Sequence, residues 1–396
     1  MIIAFTKDWN DVPTCTTHIL REFGQKRPIL WVNSIGTRRP DVRKVTDLRR
    51  IFSRLTQFVQ GPKNVETNIS VISPLLFPAA RNKIVLSLNR YLFRTQIAGW
   101  LSHNAIKKSD LEYWCFVPNA VSLVPEDSFI VYYCVDDWSS FHNLDGEWLA
   151  SQERLLMERA DVIFAVSEFL VKKLEEILKS IPNAKAKNIN YSPHGVNYAM
   201  FKSALEKENK MVPADIKVVK HPLIGFYGNL QPWIDFDLLE KMIAARPNWS
   251  FVFIGEKFCD VSRIERFPNV KMVGRKDYRE LTDYCRFFDA AIIPYDMKQK
   301  RMQSVNPVKT LELLAAGVPV VASNIPELRK WGASVQICRT FDEWMAALDR
   351  AVARKDREEI SRSVESFDWK TRVAEIEKII MMAKENKLRR RNHRLT

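Results

Sequence analysis

Short runs of β-branched and aromatic residues alternate along this chain with longer stretches in which apolar positions recur every three or four residues. Continuous apolar runs of this kind predict strands buried on both faces, and the spacing between them predicts crossover helices. Together they predict parallel α/β sheets. In the first half strands are expected at Ile2 to Phe5, Ile29 to Val32, Ile69 to Ile72, Tyr113 to Val117, Phe129 to Val135 and Val162 to Val166. Helices are expected at Gly146 to Arg159 and Glu168 to Leu178, and Tyr191 to Val196 closes this half. The segment Lys202 to Lys220 is rich in lysine and glutamate without apolar periodicity, which reads as a linker. Leu223 to Gly228 then runs a strand into a glycine turn. Strands continue at Phe251 to Ile254, Val270 to Val273, Ala290 to Pro294, Pro319 to Ala322 and Val335 to Ile337, before a final helix from Phe367-Asp368-Trp369 to near Asn386. At 396 residues the chain exceeds one ordinary core. The expected division is residues 1–198, a linker 199–221, a second domain 222–366, and a closing helix with a basic tail, 367–396.

Composition adds little until charge is considered. A hydrophobic fraction of 46% and a charged fraction of 27% are ordinary for a globular protein. The longest apolar runs, such as Phe129 to Val135, fall short of the roughly 18 residues that span a bilayer. Met1 to Phe5 has no basic leader and meets Lys7 and Asp8 at once, so it reads as a first strand and not a signal peptide. Six scattered cysteines without a C-x-x-C pair point to small buried hydrophobes in a reducing, cytoplasmic setting, with no zinc site or disulfide framework. The net charge of +14 is uneven, however. No acidic residue lies between Glu66 and Asp110, and within that window Ile84 to Arg94 mixes apolar and basic side chains, including Arg90, Tyr91, Phe93 and Arg94. The C-terminus adds Lys384, Lys387, Arg389, Arg390, Arg391 and Arg394 against Glu385. Such surface attracts anionic membrane or nucleic acid, or is simply solvated. No recognised nucleic-acid motif supports the second.

Ligands of doubly wound sheets bind beyond the carboxyl ends of the strands, so the residues there carry the candidate chemistry. Between Asn306 and Ser323 the chain reads as a short helix, a glycine stop at Gly317 and a strand, with Asn306 as N-cap and Pro307 in the first helical position. Lys309 and Glu312, three apart, share a face. Lys309 sits in the first turn, where the helix dipole disfavours a cation, and an anion bound at the helix start would remove that conflict. A solvated lysine beside a glutamate is the alternative. Asp136-Asp137 ends an apolar strand, where a carboxylate can take or hold the proton of an acceptor hydroxyl, or cap the next helix. His142 lies close in sequence and could pair with one of them. Thr14, Thr16 and Thr17 follow the first strand and read chiefly as helix caps. Asp235-Phe236-Asp237 reads as a helix cap with first-turn acid, not a metal motif.

The pattern Pro-x-Lys-x-x-Glu-x-x-Ala-x-Gly-x-Pro-Val-Val from Pro307 to Val321 resembles the donor-binding helix and strand of GT-B glycosyltransferases, family 4-like. Tyr132 to Trp138, Ala160 to Ser167, His194 to Asn197, and Ile224 to Leu230 with Trp233-Ile234-Asp235 are similar to the family's successive landmarks, in the manner of its teichuronic acid and exopolysaccharide group. The resemblance implies an α/β GT-B fold: two Rossmann-like doubly wound domains facing a cleft, an N-terminal acceptor domain and a C-terminal donor domain, with a C-terminal helix crossing back. It implies a nucleotide-diphosphate sugar as donor, no cofactor, no metal and retention of configuration. Glu312 would bind the ribose hydroxyls. A second glutamate of the family stands eight positions earlier and contacts the sugar; here that position is Ser304. The cations that neutralise the diphosphate are replaced by Asn229, after Gly228, and Ile234. Lys309 is the candidate substitute, followed by Arg275 and Arg301. The expected donor-binding set is therefore Glu312, Asn306, Ser304, Gly228, Asn229 and Arg275, and the expected catalytic set Asp136, Asp137 and Lys309. A lipid-linked or cell-surface glycan acceptor and an anionic membrane at the inner face of the cell membrane are the expected partners. The rivals are a GT-B-fold sugar-nucleotide epimerase and a degenerate subunit that only binds.

Overall fold

The computed structural model describes residues 1–35, 61–77, 82–107, 110–140, 145–186, 188–206 and 211–393. His142 lies outside them. The chain divides into two units, Met1–Pro193 with Val373–Thr396, and His194–Arg372.

In the first unit eight strands are β1 (Ile2–Phe5), β2 (Ile29–Val32), β3 (Lys63–Glu66), β4 (Ile69–Ile72), β5 (Glu112–Cys115), β6 (Phe129–Cys134), β7 (Val162–Ala165) and β8 (Asn190–Tyr191). Their order is β3-β4-β2-β1-β5-β6-β7-β8, parallel throughout except for β3 against β4. The direction of winding reverses between β1 and β5. The exposed, polar β3 was not expected from the sequence, because an edge strand with no buried face leaves no apolar signature. Contacting aromatic rings cross the sheet from Phe23 through Trp114, Phe116 and Tyr133 to Phe164.

The second unit holds β9 (Leu223–Tyr227), β10 (Ser250–Ile254), β11 (Val270–Gly274), β12 (Ala290–Ile293), β13 (Val320–Ser323) and β14 (Val335–Cys338). All are parallel in the order β11-β10-β9-β12-β13-β14, with the reversal between β9 and β12. This is the doubly wound order, and its ligand position is the crevice beyond β9 and β12. The segment expected as a linker joins this unit: Phe201 on the helix Tyr198–Lys202, Ala204 and Ile216 are buried in its core. Too few apolar positions stand there to show a period, and only some of them pack inward: Met211 and Val218 are exposed.

The final helix, Trp369–His393, begins in the second unit and continues in the first from Val373. In the first unit Lys26 pairs with Glu377 at 2.9 Å, Lys384 with Glu112 at 2.7 Å and Lys387 with Asp161 at 3.0 Å. Two lysines of the expected membrane tail are thus held in internal ion pairs, which corrects that expectation for Lys384 and Lys387. Among the described residues no helix is long and apolar enough to cross a membrane, and all six cysteines are free.

Candidate functional site

Three of the expected residues come together at the reversal point of the second sheet. The helix Val308–Ala315 follows β12 and lies beside the end of β9. It starts one residue later than expected: Pro307 holds the N-cap position with no side-chain bond, and Asn306 lies outside the helix. There the His194 ring hydrogen-bonds the Asn306 backbone, and burial, then the Lys330 charge, push the His194 pKa down to about 3, so that ring is neutral.

Glu312 sits on the buried face of this helix, 5% exposed. Its Oε2 accepts the Tyr227 hydroxyl at 2.9 Å, and its Oε1 accepts the Tyr278 hydroxyl at 2.7 Å. Burial raises its pKa above the ordinary carboxylate value, while both tyrosine bonds and Lys309 act to lower it. Lys309, one turn earlier, lays its ammonium 4.4 Å from the centre of the Phe226 ring and 5.7 Å from that of Tyr295. A Cβ at Gly228 would collide with that ammonium, and a Cβ at Gly255 would collide with the Gly228 carbonyl. Glycine at 228, with φ of +126°, therefore lets the β9 turn, the neighbouring β10 turn and the lysine pack as one small-residue cradle. A cation, a helix N-terminus and a closely approached backbone form a place for an anion.

The other expected donor residues are less central. Arg275 is exposed and pairs with Glu256 at 3.3 Å. Asn229 is half-buried beside the glycine turn. Ser304 is buried and donates to the Arg301 carbonyl at 2.8 Å, so its hydroxyl closes a turn. Arg301 stacks over Trp233 at 5.0 Å. Ile234 is buried, as an apolar side chain should be, and its backbone forms an antiparallel bridge with that of Tyr295. Asp235 caps the helix Phe236–Ala245 through the Leu238 N–H, and Asp237 pairs with Arg263 at 2.7 Å. Among the described residues no group of three or more His, Cys, Asp or Glu is placed to hold a metal ion.

In the first unit Asp136 and Asp137 follow β6. Asp137 accepts from Lys173 Nζ at 2.5 Å and from the Ser139 hydroxyl at 2.8 Å, and Lys173 also lies 3.8 Å from buried Glu153. That network commits Asp137 to holding the loop. Asp136 accepts the Asp137 N–H at 3.0 Å. The Thr14 N–H donates to the Thr17 hydroxyl at the start of the helix Cys15–Gly24, a capping role. Phe93 requires a correction. It is 1% exposed and stacks on Phe5 at 5.3 Å, because it lies on the inward face of the helix Lys83–His103. Arg90 is half-buried and donates to the Ser122 carbonyl. The outward face carries instead Ile84, Leu88 and Tyr91, 78%, 42% and 65% exposed, with Lys83 and Arg94.

Tyr227 and Tyr278 were missed by sequence reasoning as site residues. Tyr227 had one signal, its place as last strand residue before Gly228. Tyr278 had none, since only the fold brings its loop to Glu312.

Residues 221–353 match the family model described as "Glycosyl transferases group 1". This segment is a glycosyl transferases group 1 domain. It contains the whole Gly228–Lys309–Glu312 cluster. A Bacillus subtilis (strain 168) protein named as a teichuronic acid biosynthesis glycosyltransferase is 30% identical over 213 residues, 51% of this chain and 52% of that protein. The match thus spans about half the length of that curated relative. Among solved structures, a sucrose-phosphate synthase from Thermosynechococcus elongatus has a TM-score of 0.67 at 13% identity, covering 97% of this chain and 99% of its own. An α,α-trehalose 6-phosphate synthase from Burkholderia multivorans has a TM-score of 0.65 at 13% identity, covering 98% and 99%. The Anabaena protein HepE, solved with UDP, has a TM-score of 0.63 at 12% identity, covering 96% and 100%. These likenesses show the fold, which is GT-B with two Rossmann-like domains. The glycosyl transferases group 1 domain is the second of them.

Proposed function

We propose that this chain is a glycosyltransferase that moves a sugar from a nucleotide-diphosphate sugar to a lipid-linked or cell-surface glycan, with retention of configuration and without a metal. One observation carries the reading: a buried carboxylate, Glu312, stands one helical turn from an ammonium, Lys309, seated on the Gly228 turn at the sheet's reversal point. A carboxylate at that place receives the ribose hydroxyls, and the lysine with the helix N-terminus receives the diphosphate. Charge on the diphosphate grows as the sugar leaves, so Lys309 acts most strongly in the transition state. The departing phosphate takes the acceptor proton, and Asp136 holds the acceptor hydroxyl. The similarity to a teichuronic acid biosynthesis glycosyltransferase supports the acceptor class, and the likeness to a protein solved with UDP supports the donor class.

The membrane part of the proposal rests on the Ile84–Leu88–Tyr91 stripe, whose i, i+4, i+7 spacing puts three exposed apolar side chains on one helix face beside Lys83 and Arg94. Co-sedimentation with anionic vesicles at low salt checks it. No binding to them moves the acceptor to a soluble glycan.

A second reading, a subunit that binds donor without turning it over, is favoured by Asn229 and buried Ile234 at the positions of the missing cations. A panel of UDP-, GDP-, ADP- and dTDP-sugars separates the two. Thermal stabilisation with slow donor hydrolysis supports the transferase, and stabilisation alone supports the subunit. No stabilisation by any of them overturns both.

A further inference from the structure

The hydrogen-bond count around Glu312 says more than that a carboxylate is present. An ionised carboxylate has about four acceptor positions, two on each oxygen. Tyr227 takes one on Oε2 and Tyr278 takes one on Oε1. Among the described residues no cation lies within ion-pair distance of Glu312, so one acceptor position on each oxygen is left open. Both fixed donors are neutral, which leaves the carboxylate its full charge for whatever donates to the two open positions. Two adjacent acceptors on one rigid plane match a vicinal pair of hydroxyls.

We propose that Tyr227 and Tyr278 are positioning residues that fix the Glu312 carboxylate plane and make it a receptor for a cis-diol. This rests on the nucleotide-sugar reading and identifies how the ribose is distinguished from a ribose lacking those hydroxyls. The two tyrosines come from different elements. Tyr227 ends β9, and its hydroxyl also reaches the Lys309 carbonyl at 3.3 Å, tying the carboxylate to the helix that carries the lysine. Tyr278 lies in the loop after β11, half-buried, with its ring packed edge-on against Phe201 at 5.6 Å. With either hydroxyl removed, the side chain of Glu312 gains rotational freedom and one oxygen loses its fixed direction. The cost then falls on ligands that use both oxygens and not on ligands that use neither.

The experiment uses the full-length chain, calorimetric titration with UDP, GDP and ADP, and then the 2′,3′-dideoxy form of whichever binds most tightly. In the wild type the dideoxy form should bind about 100-fold more weakly, the loss of two hydrogen bonds to a charged group. Tyr278→Phe should weaken the ribonucleotide about tenfold and leave the dideoxy form unchanged, so the ratio shrinks by about tenfold. Tyr227→Phe, read the same way, should shrink it too. A Tyr278→Phe ratio equal to the wild-type ratio overturns the inference while leaving the nucleotide reading intact. Equal weakening of both forms also overturns it, because general damage to the fold does not discriminate between them. No binding of any of the three ribonucleoside diphosphates to the wild type overturns this inference, and the nucleotide reading falls with it when the dTDP-sugar also fails to stabilise the chain.

Discussion

Two buried glutamates, one in each unit, have opposite electrostatic surroundings. Glu112 on β5 is fully buried and accepts from Arg27 at 2.5 Å and Lys384 at 2.7 Å on one oxygen and from the Trp114 indole at 2.9 Å on the other. Burial pushes its pKa up, but Arg27 and Lys384 outweigh burial and hold it below the ordinary 4.5. Glu312 is nearly as buried, yet has tyrosine hydroxyls where Glu112 has cations, and its pKa is raised. A buried carboxylate whose charge is neutralised locally is a fastener, here fixing the final helix to the first unit. One held chiefly by neutral donors costs stability when it ionises, and it is retained where a ligand can use it.

That contrast can be broken experimentally. Glu112→Gln leaves Arg27 and Lys384 unpaired, and urea unfolding should show a loss of about 2–4 kcal/mol, below a fully buried pair because Lys384 is partly solvated. Glu312→Ala should weaken nucleoside diphosphate binding by about 2–4 kcal/mol in calorimetry while barely lowering the melting temperature. Equal effects of the two substitutions on stability would dissolve the distinction. Lys309→Ala should cut turnover about 100-fold with a much smaller change in nucleotide affinity, measured as kcat against Kd. Wild-type turnover in that variant moves the diphosphate role to Arg275 or Arg301.

The smallest effect is in the pH dependence. Glu112, with a depressed pKa, contributes stability that is present above 4.5 and is lost as pH falls through its folded value. Glu312, with a raised pKa, favours the folded state fully below 4.5 and loses that contribution as pH rises through its folded value. Glu312→Gln should therefore be more stable than wild type at neutral pH and lose that advantage in acid, as thermal melts at pH 7 and pH 4 would show. The Glu112→Gln deficit should shrink over the same descent.

Much of this was legible in the sequence. Ile2–Phe5, Ile29–Val32 and Ile69–Ile72 are strands with the bounds that their apolar runs predict, and the strands of the second unit fall within a residue or two of expectation. That Lys309 and Glu312 share a face of one helix, and that Gly228 turns the chain after a strand, was readable because three-residue spacing and a glycine turn are local properties. The tertiary structure alone decided which face of the helix Lys83–His103 points inward. It buries Phe93 and exposes Ile84, Leu88 and Tyr91, on a helix that is apolar on more than one side. It also decided that Lys384 and Lys387 serve Glu112 and Asp161 and that Asp137 serves Lys173. Tyr278 reaches Glu312 across 34 positions of sequence. Periodicity along a chain records what each residue needs from its own element. Which distant side chain completes a carboxylate's hydrogen bonds depends on how strands are ordered in the sheet, and no local pattern encodes that order.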